Sequence, residues 1–469
     1  MEQGRIPVML RARKAVWSGH RCEPKTVAPL CGMSTRSRLV VFRCPPPLSS
    51  TGEEEHTMEP IYTSCCGLDV HGKSIQACVR RIGKDARIHQ EVRAFGTMTK
   101  DILALADWLS SEEVTHVAME STGVYWKPIY NILEGRFTIL LVNARHVKNV
   151  PGRKTDVKDC QWLAQLLQCG LLKGSFVPDR PQRELRDLTR HRTQLVNEKS
   201  AVINRIHKIL EDANIKLGVV ATDILGKSGR DMIRALIRGE KDPGEIADLA
   251  RKQLRGKIPE LRSALEGHVT DHHRFILREL MDHLEYLEGQ IERFSQRIEE
   301  VSGPFEEAIE EVARLPGFEK RSAENVIAEI GCDMERFPSE EHLSSWAGMC
   351  PGSNESAGKH KSGKTTKGSR WLRATLCQSA WAASRKKGCY FQAQYHRLAG
   401  RRGKKRALIA VGHSLLVVIY HVLNNKTGYK ELGADYFDKL NSKRLVPYLV
   451  KRLKNIGYEV NLVPCQKAA

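Results

Sequence analysis

Hydrophobic and polar positions change their period along the chain. From Thr63 onward, short apolar runs alternate with turn residues. Cys65–Val70, Ser74–Arg81 and Ile88–Phe95 have the length and composition of strands, and Gly72 and Gly83 punctuate them. Lys100 to Leu109 carries apolar residues at 102, 103, 105, 106 and 109, the spacing of one helix face. Val114–Met119 returns to a strand, Val124–Leu133 can form a helix, and Phe137–Val142 (FTILLV) has the run of a buried strand. Thr155 is placed to cap a further helix containing Asp156, Asp159, Trp162, Leu163 and Leu166.

The resulting order, β-β-β-α-β-α-β-α, is typical of an α/β RNase H-like core. Residues 183–301 then become charged and helical. Ile276, Leu280, Leu284, Leu287, Ile291, Phe294 and Ile298 form a seam at three-to-four spacing. Such a seam predicts coiled-coil or bundle packing, and heptads alone do not fix partner number. It is compatible with a dimer arm or with a hairpin inside one chain. From Val312 a mainly α region follows. Leu315–Phe318 with Ala323–Gly331 resembles a helix-hairpin-helix, Trp346 to Lys367 is rich in Gly, Ser and Lys, and Tyr458 to Val463 reads as an edge strand. The expected organisation is an extension (1–57), an α/β catalytic domain (58–180), a helical coiled-coil middle (181–305) and a C-terminal domain (306–469). Residues 1–57 show no sustained period and are expected to be disordered, with Met58 a plausible initiator.

Charge narrows the class of partner. The chain of 469 residues carries a net charge of +20 and a pI near 9.4, the footprint of a protein that meets a polyanion. Seventeen Lys or Arg and no Asp or Glu fall between Ser356 and Lys430. A solvated helix face mixes signs, so this run points to phosphate contacts. Lys359, Lys361, Lys364, Lys367, Arg370, Arg373, Arg401, Arg402, Lys404, Lys405 and Arg406 are its candidate nucleic-acid-binding residues. The thirteen cysteines form no C-x-x-C pair, which fits neither a disulfide framework nor a zinc site and suits reduced thiols in a cytoplasm. Ala407 to Leu423 is apolar but holds Gly412, His413, Ser414 and His421, so a buried helix is expected and no membrane is implied.

Four acids stand out against this background. Asp69 lies in an apolar strand, where an unpaired carboxylate is costly. Glu120 ends another strand ahead of Ser121-Thr122-Gly123. Asp156 and Asp159 are three apart on a predicted helix and share a face. Each alone has a structural explanation; four in this order suggest carboxylates gathered around Mg²⁺ or Mn²⁺. A pair of such ions in phosphodiester chemistry activates one oxygen and stabilises the other.

Several strings sharpen the reading. Met58–Val70 (MEPIYTSCCGLDV), Met119–Trp126 (MESTGVYW), Asn143–Lys148 (NARHVK) and Lys154–Asp159 (KTDVKD) resemble the DEDD, RuvC-like domain of IS110-family transposases of the IS1111 type. Trp346–Gly352 (WAGMCPG), Glu355–Lys359 (ESAGK) and Lys367–Arg373 (KGSRWLR) resemble that family's second domain. The resemblance covers roughly 58–465. It implies that Asp69, Glu120, Asp156 and Asp159 are the metal-holding tetrad and that Ser356 is the nucleophile. It also implies a serine–DNA intermediate, element-end and target DNA as substrates, an element-encoded guide RNA, and a homo-oligomer, dimer or tetramer, acting in the bacterial cytoplasm on the nucleoid. Ser353 and Ser362 are local rivals to Ser356. The chain departs from the family pattern at Gly72, where a basic residue is expected, and in residues 1–57.

Two other functions stay open at this point. A junction-resolving nuclease would use water at the tetrad, and a non-catalytic nucleic-acid-binding protein would use neither acids nor serine. Gly358–Thr365 (GKHKSGKT) satisfies the Walker A string, but no apolar strand precedes it, so nucleotide triphosphate binding is not expected.

Overall fold

The computed structural model describes residues 60–463 apart from 84, 86, 122, 145–146, 148–158, 241, 353 and 357. The expected extension at 1–57 lies outside the described residues, as does the Thr155 cap. The N-terminal region folds as β1 (Ser64–Val70), β2 (Ser74–Ile82), β3 (Ile88–Gly96), α1 (Thr99–Ser111), β4 (His116–Glu120), α2 (Trp126–Leu133), β5 (Thr138–Val142) and α3 (Asp159–Gln168). The strands form one mixed sheet in the order β3-β2-β1-β4-β5. β1 is antiparallel to β2 and parallel to β4, and β4 is parallel to β5. This arrangement is consistent with an RNase H-like domain.

Both faces of the central strands are covered, which is why they read as continuous apolar runs. The period of two in a strand sends alternate residues to opposite faces. Cys66, Leu68, Val70, Val117 and Met119 pack with Ile102, Leu105 and Leu109 of α1 and Ile129 and Leu133 of α2. Cys65 and Ala118 pack instead with Leu167 of α3. β3 is an edge strand and keeps His89, Gln90, Glu91 and Arg93 towards solvent, a polar edge that discourages further strand pairing.

A 33-residue helix, α4 (Arg180–Asp212), leaves this domain. After it come α5 (Leu217–Val220), α6 (Lys227–Arg238), α7 (Pro243–Ala247), α8 (Ile258–Leu265) and α9 (Asp271–Val301). α9 returns antiparallel to α4: His273 meets Asp212 at 3.0 Å at one end, and Lys199 meets Glu288 at 2.8 Å near the middle. The predicted seam is therefore filled by the chain's own α4 and by the small helices between. Its phase shifts by one residue at the start, where Leu277 and Met281 are buried while Ile276 and Leu280 sit at the margin. Leu284, Leu287, Ile291 and Ile298 are buried as expected. A coiled coil between chains is not what occupies this seam here.

The C-terminal region contains α10 (Glu306–Ala313), α11 (Lys320–Ile330), α12 (Glu340–Trp346), a hairpin of β6 (Asn354–Ser356) and β7 (Lys359–Ser362), and then α13 (Arg370–Ala383), α14 (Tyr390–Arg402), α15 (Lys404–Asn425), α16 (Tyr436–Leu440) and α17 (Ser442–Asn455). α15 is long and apolar enough to cross a membrane. Val411, Leu415, Leu416 and Ile419 of this helix instead pack with Leu372, Leu376 and Phe391 in the domain's core. Two sequence expectations fail in this region. Residues 458–463 form no strand; Gly457 ends the helical stretch at φ +93 and the chain runs on without regular structure. The α10–α11 pair does have a hairpin's shape, but its Leu315–Phe318 turn is packed inward. A Cβ on Gly317 would lie 2.2 Å from the Ser379 carbonyl oxygen and 2.7 Å from the Ala383 nitrogen, so the turn faces α13 rather than an open phosphate site.

α4 ties the three regions together through charge. Arg183 meets Glu134, just beyond α2, at 2.6 Å, and Arg186 donates to the carbonyl oxygens of Ala328 and Glu329. Arg192 and Glu324 stand 2.8 Å apart with side chains only 4% and 5% exposed. Removing one partner of such a pair leaves the other charge buried, at about 3–5 kcal/mol. Glu324→Ala should therefore destabilise the protein by about that amount in urea denaturation, and Arg192→Met with Glu324→Leu together by much less. Equal losses in the single and double variants would show that packing, not the stranded charge, sets the cost.

Candidate active site

Asp69 is the penultimate residue of β1, in phase with Cys65 and Gly67, so it belongs to the sheet face that α3 covers. Glu120 is the last residue of β4, in phase with Ala118 on that same face. The parallel register pairs Leu68 with Met119, which brings Asp69 and Glu120 side by side at the C-terminal ends of adjacent strands. The Asp69 carboxylate is 20% exposed and Oδ2 lies 3.2 Å from His71 Nε2. Beyond Glu120, the Ser121 N–H donates to the Val142 carbonyl at 2.9 Å, and Gly123 at φ +56 turns the chain into α2.

α3 brings the third acid. It runs antiparallel to β1, since the Ala164 carbonyl receives the Cys65 thiol at 3.6 Å while Cys160 lies against Gly67 two residues further along the strand. Asp159, the first residue of α3, consequently comes over the β1 end that carries Asp69. The approach is close because position 67 has no side chain: a Cβ there would stand 2.3 Å from the Cys160 carbonyl oxygen and 2.4 Å from the Ala164 nitrogen. Asp156 lies outside the described residues. The structure thus sets Asp69 and Glu120 on neighbouring strand ends of one sheet face, the face that α3, begun by Asp159, covers. Among the described residues no group of three or more His, Cys, Asp and Glu is close enough to hold an ion by itself. The donor set consists of partly exposed carboxylates at strand ends, hard oxygens that fit Mg²⁺ or Mn²⁺ and not softer ions. The cysteines near the site are unsuited to metal. Burial pushes the Cys65 and Cys78 thiols up to about 12, and none of the nine described cysteines is in a disulfide.

Ser356 is on a different module. It ends β6 and pairs with Lys359 of β7. The hairpin is anchored by the Pro351–Thr365 bridge, by the Gly352 N–H donating to the Lys364 carbonyl at 2.8 Å, and by a backbone-to-backbone approach of Gly348 and Gly368. These bonds tie it to the C-terminal domain rather than to the sheet. A short hairpin and not a loose Gly/Ser loop therefore carries the serine. The Walker-like string falls across β7 and the stretch before α13; no strand runs from it into a helix at Gly363-Lys364-Thr365, so the P-loop geometry is absent. Lys359 and Lys361 are on β7, Lys364 and Lys367 follow it, and Arg370 and Arg373 stand on the first turn of α13. Arg401, Arg402, Lys404, Lys405 and Arg406 flank Gly403, whose φ of +84 makes an elbow between α14 and α15 with all five cations exposed.

Comparison with known proteins decides the family. A transposase family model of the IS110 DEDD type matches residues 66–215, and a second model, for transposases of the IS116/IS110/IS902 family, matches residues 309–396. The chain belongs to the IS110 family of transposases. It is 25% identical over 322 residues to a probable family 20 transposase of Pseudomonas aeruginosa, covering 67% of this chain and 85% of that protein. It is 23% identical over 299 residues to the transposase for insertion sequence element IS1111A of Coxiella burnetii, covering 62% and 72% respectively. The first family model spans the sheet and α4, and the second runs from α10 into α14, so the two matched segments of the family carry the acids and the serine separately. Sequence reasoning did not single out Gly67, which sets the distance between the strand acids and α3; its signal was a glycine inside a strand, where a close backbone approach is expected.

Gly67→Ala should lift α3 off β1. The expected outcome is a loss of roughly 1–3 kcal/mol in denaturant unfolding, the usual cost of overpacking. DNA cleavage should fall by a larger factor than the folded fraction, because Asp159 moves relative to Asp69. Cleavage that falls only in proportion to folded protein would separate Gly67 from the site.

Proposed function

We propose that this transposase cuts and exchanges DNA strands at a composite site, with Ser356 as nucleophile and Asp69, Glu120, Asp156 and Asp159 as the metal-holding tetrad of a RuvC-like domain. The observation that carries the reading is the placement of Asp69 and Glu120 on neighbouring strand ends of the sheet face that α3, begun by Asp159, covers. A bound Mg²⁺ or Mn²⁺ pair would supply Lewis-acid stabilisation of the phosphoryl oxygens.

Serine is a weak nucleophile until its proton is removed. In the proposed step an Oγ–P bond forms from Ser356 as one P–O bond to a sugar breaks, and the proton that Oγ gives up to solvent is made good by one that solvent supplies to the departing sugar oxygen, releasing a DNA hydroxyl. Because one phosphoester replaces another, the bond energy is kept, and a hydroxyl from a second strand can reverse the step to complete exchange. Lys359 and Lys361 on the same hairpin, with Lys364, Lys367, Arg370 and Arg373, would offset phosphate charge. The Arg401–Arg406 elbow holds the backbone further along. Ser356 and the acids sit on separate modules, which supports assembly of the site in a homo-oligomer, dimer or tetramer. The substrates are element-end and target DNA in a bacterial cytoplasm, and the acid-free basic run offers phosphate sites enough for an element-encoded guide RNA as well.

Ser356→Ala should abolish covalent protein–DNA adducts on denaturing gels while leaving DNA binding within about twofold, since a hydroxyl-to-hydrogen change removes no charge. Asp69→Asn or chelation of divalent metal should also abolish adducts. Metal-dependent cleavage that survives Ser356→Ala would replace the serine with water as nucleophile. Reversing Arg401, Arg402 and Lys405 to Glu should weaken DNA binding and flatten its salt dependence by roughly one unit of slope for each phosphate no longer neutralised. An unchanged slope would remove the elbow from the DNA path.

A further inference from the structure

A cleft of about 410 Å³ opens between α4, α11 and α13, beside the start of α13, and none of Asp69, Glu120 and Asp159 lines it. We propose that it holds one unpaired nucleotide of a bound strand, a role that rests on the transposase handling unpaired strands but not on the identity of its nucleophile.

The volume is that of a small-ligand pocket. Among the described residues Trp371 and Ala374 are its only apolar members; the rest of the lining consists of Thr, Gln, Asn, Arg and Glu. The remaining walls suit a planar, hydrogen-bonding group attached to a phosphate. Trp371 offers a ring, with the Arg370 guanidinium 4.8 Å and the Arg190 guanidinium 5.9 Å from its centroid. Bases extruded from a strand stack on such rings and guanidinium planes. Gln194, Asn197 and Gln378 are amides that can both donate and accept along a base edge. Arg192 holds the carbonyl end of Asn325 at 3.4 Å. The hydroxyls of Thr189, Thr193 and Thr375 donate to helix carbonyls, so towards the cleft they present acceptor lone pairs.

The site is held open before any ligand arrives. The Glu329 carboxylate, 3% exposed, accepts from Arg190 Nε at 2.6 Å, from Arg190 Nη2 at 2.9 Å and from Ser369 Oγ at 3.0 Å. One buried acid thereby fixes an arginine of α4 and the N-cap of α13 on either side of the cleft, an arrangement that lowers the ordering cost of binding. Duplex DNA cannot enter with its bases stacked, and a single extruded base can. Lys364, Lys367 and Arg370 lead from the hairpin to the rim and give the backbone of that strand a basic track.

The test uses the full-length protein and single-stranded DNA and RNA oligonucleotides carrying 5-iodouracil. After irradiation, mass spectrometry should find adducts on Trp371 or on the peptides lining the cleft; the nucleic acid that gives them identifies the strand. Trp371→Leu should weaken single-strand binding about 5- to 100-fold and leave duplex binding unchanged, as expected for loss of one stacked base. Trp371→Phe should restore most of it. The double variant Gln194→Ala/Gln378→Ala should also weaken single-strand binding, without touching the core. Adducts confined to other peptides with both nucleic acids, or full-strength single-strand binding by both Trp371→Leu and the double amide variant, would overturn the proposal. Ser356→Ala should cross-link as the wild type does, so failure of the serine mechanism and failure of this cleft give different results.

Discussion

The buried charges on α4 are the constraint that the rest of the molecule follows. An arginine taken out of water is costly unless it meets an acid at close range with its remaining donors satisfied. Arg192 meets Glu324 at 2.8 Å between α4 and α11, and Arg190, Glu329 and Ser369 form a hydrogen-bonded set between α4, α11 and α13. Burial lowers the Arg186 guanidinium to about 10, yet it is held by two backbone carbonyls. Sliding α4 by one turn would strand these charges, so the helix has one register against the C-terminal domain. Arg183 reaches Glu134 from the same helix, so the sheet domain is referenced to that register too.

A rigid spine of this kind suits chemistry divided between modules. The acids lie at the C-terminal ends of two parallel strands, under the start of α3. The serine lies on a hairpin whose anchors belong to another core. On the proposed mechanism the two halves depend on each other: the carboxylates would hold the metal and Ser356 on the hairpin would supply the attacking oxygen. The two segments matched by the transposase family correspond to these halves, with α4 at the end of the first and the small helices and α9 between them. The length of that insertion separates the halves in sequence while α4 keeps them registered in space.

Local pattern carried a good deal of this. The short apolar runs of β1 and β4, the glycines that punctuate the strands and the apolar spacing of α1 placed the sheet domain to within a residue or two at most boundaries. The predicted seam of α9 showed that an apolar partner exists. It could not show that the partner is α4 of the same chain, nor that its phase begins at Leu277 rather than Ile276, because both depend on which surface is opposite. The C-terminal strand at Tyr458 failed for a related reason: alternation at a chain's edge makes a strand only where another edge is free to pair.

The sequence by itself determined that the chain carries one long acid-free basic run, that carboxylates stand at strand ends, and that a Gly/Ser/Lys segment holds Ser356. These follow from composition, short apolar runs and helical spacing, which are local. Only the tertiary structure decided that Asp69 and Glu120 share one face covered by α3, since that needs the parallel register of β1 with β4 and the backbone contact that Gly67 allows to α3. It alone decided that Trp371 faces the α4 amides across a cleft. Those juxtapositions are set by close packing and by buried charge pairs between residues more than a hundred positions apart, and no local period encodes a distance of that kind.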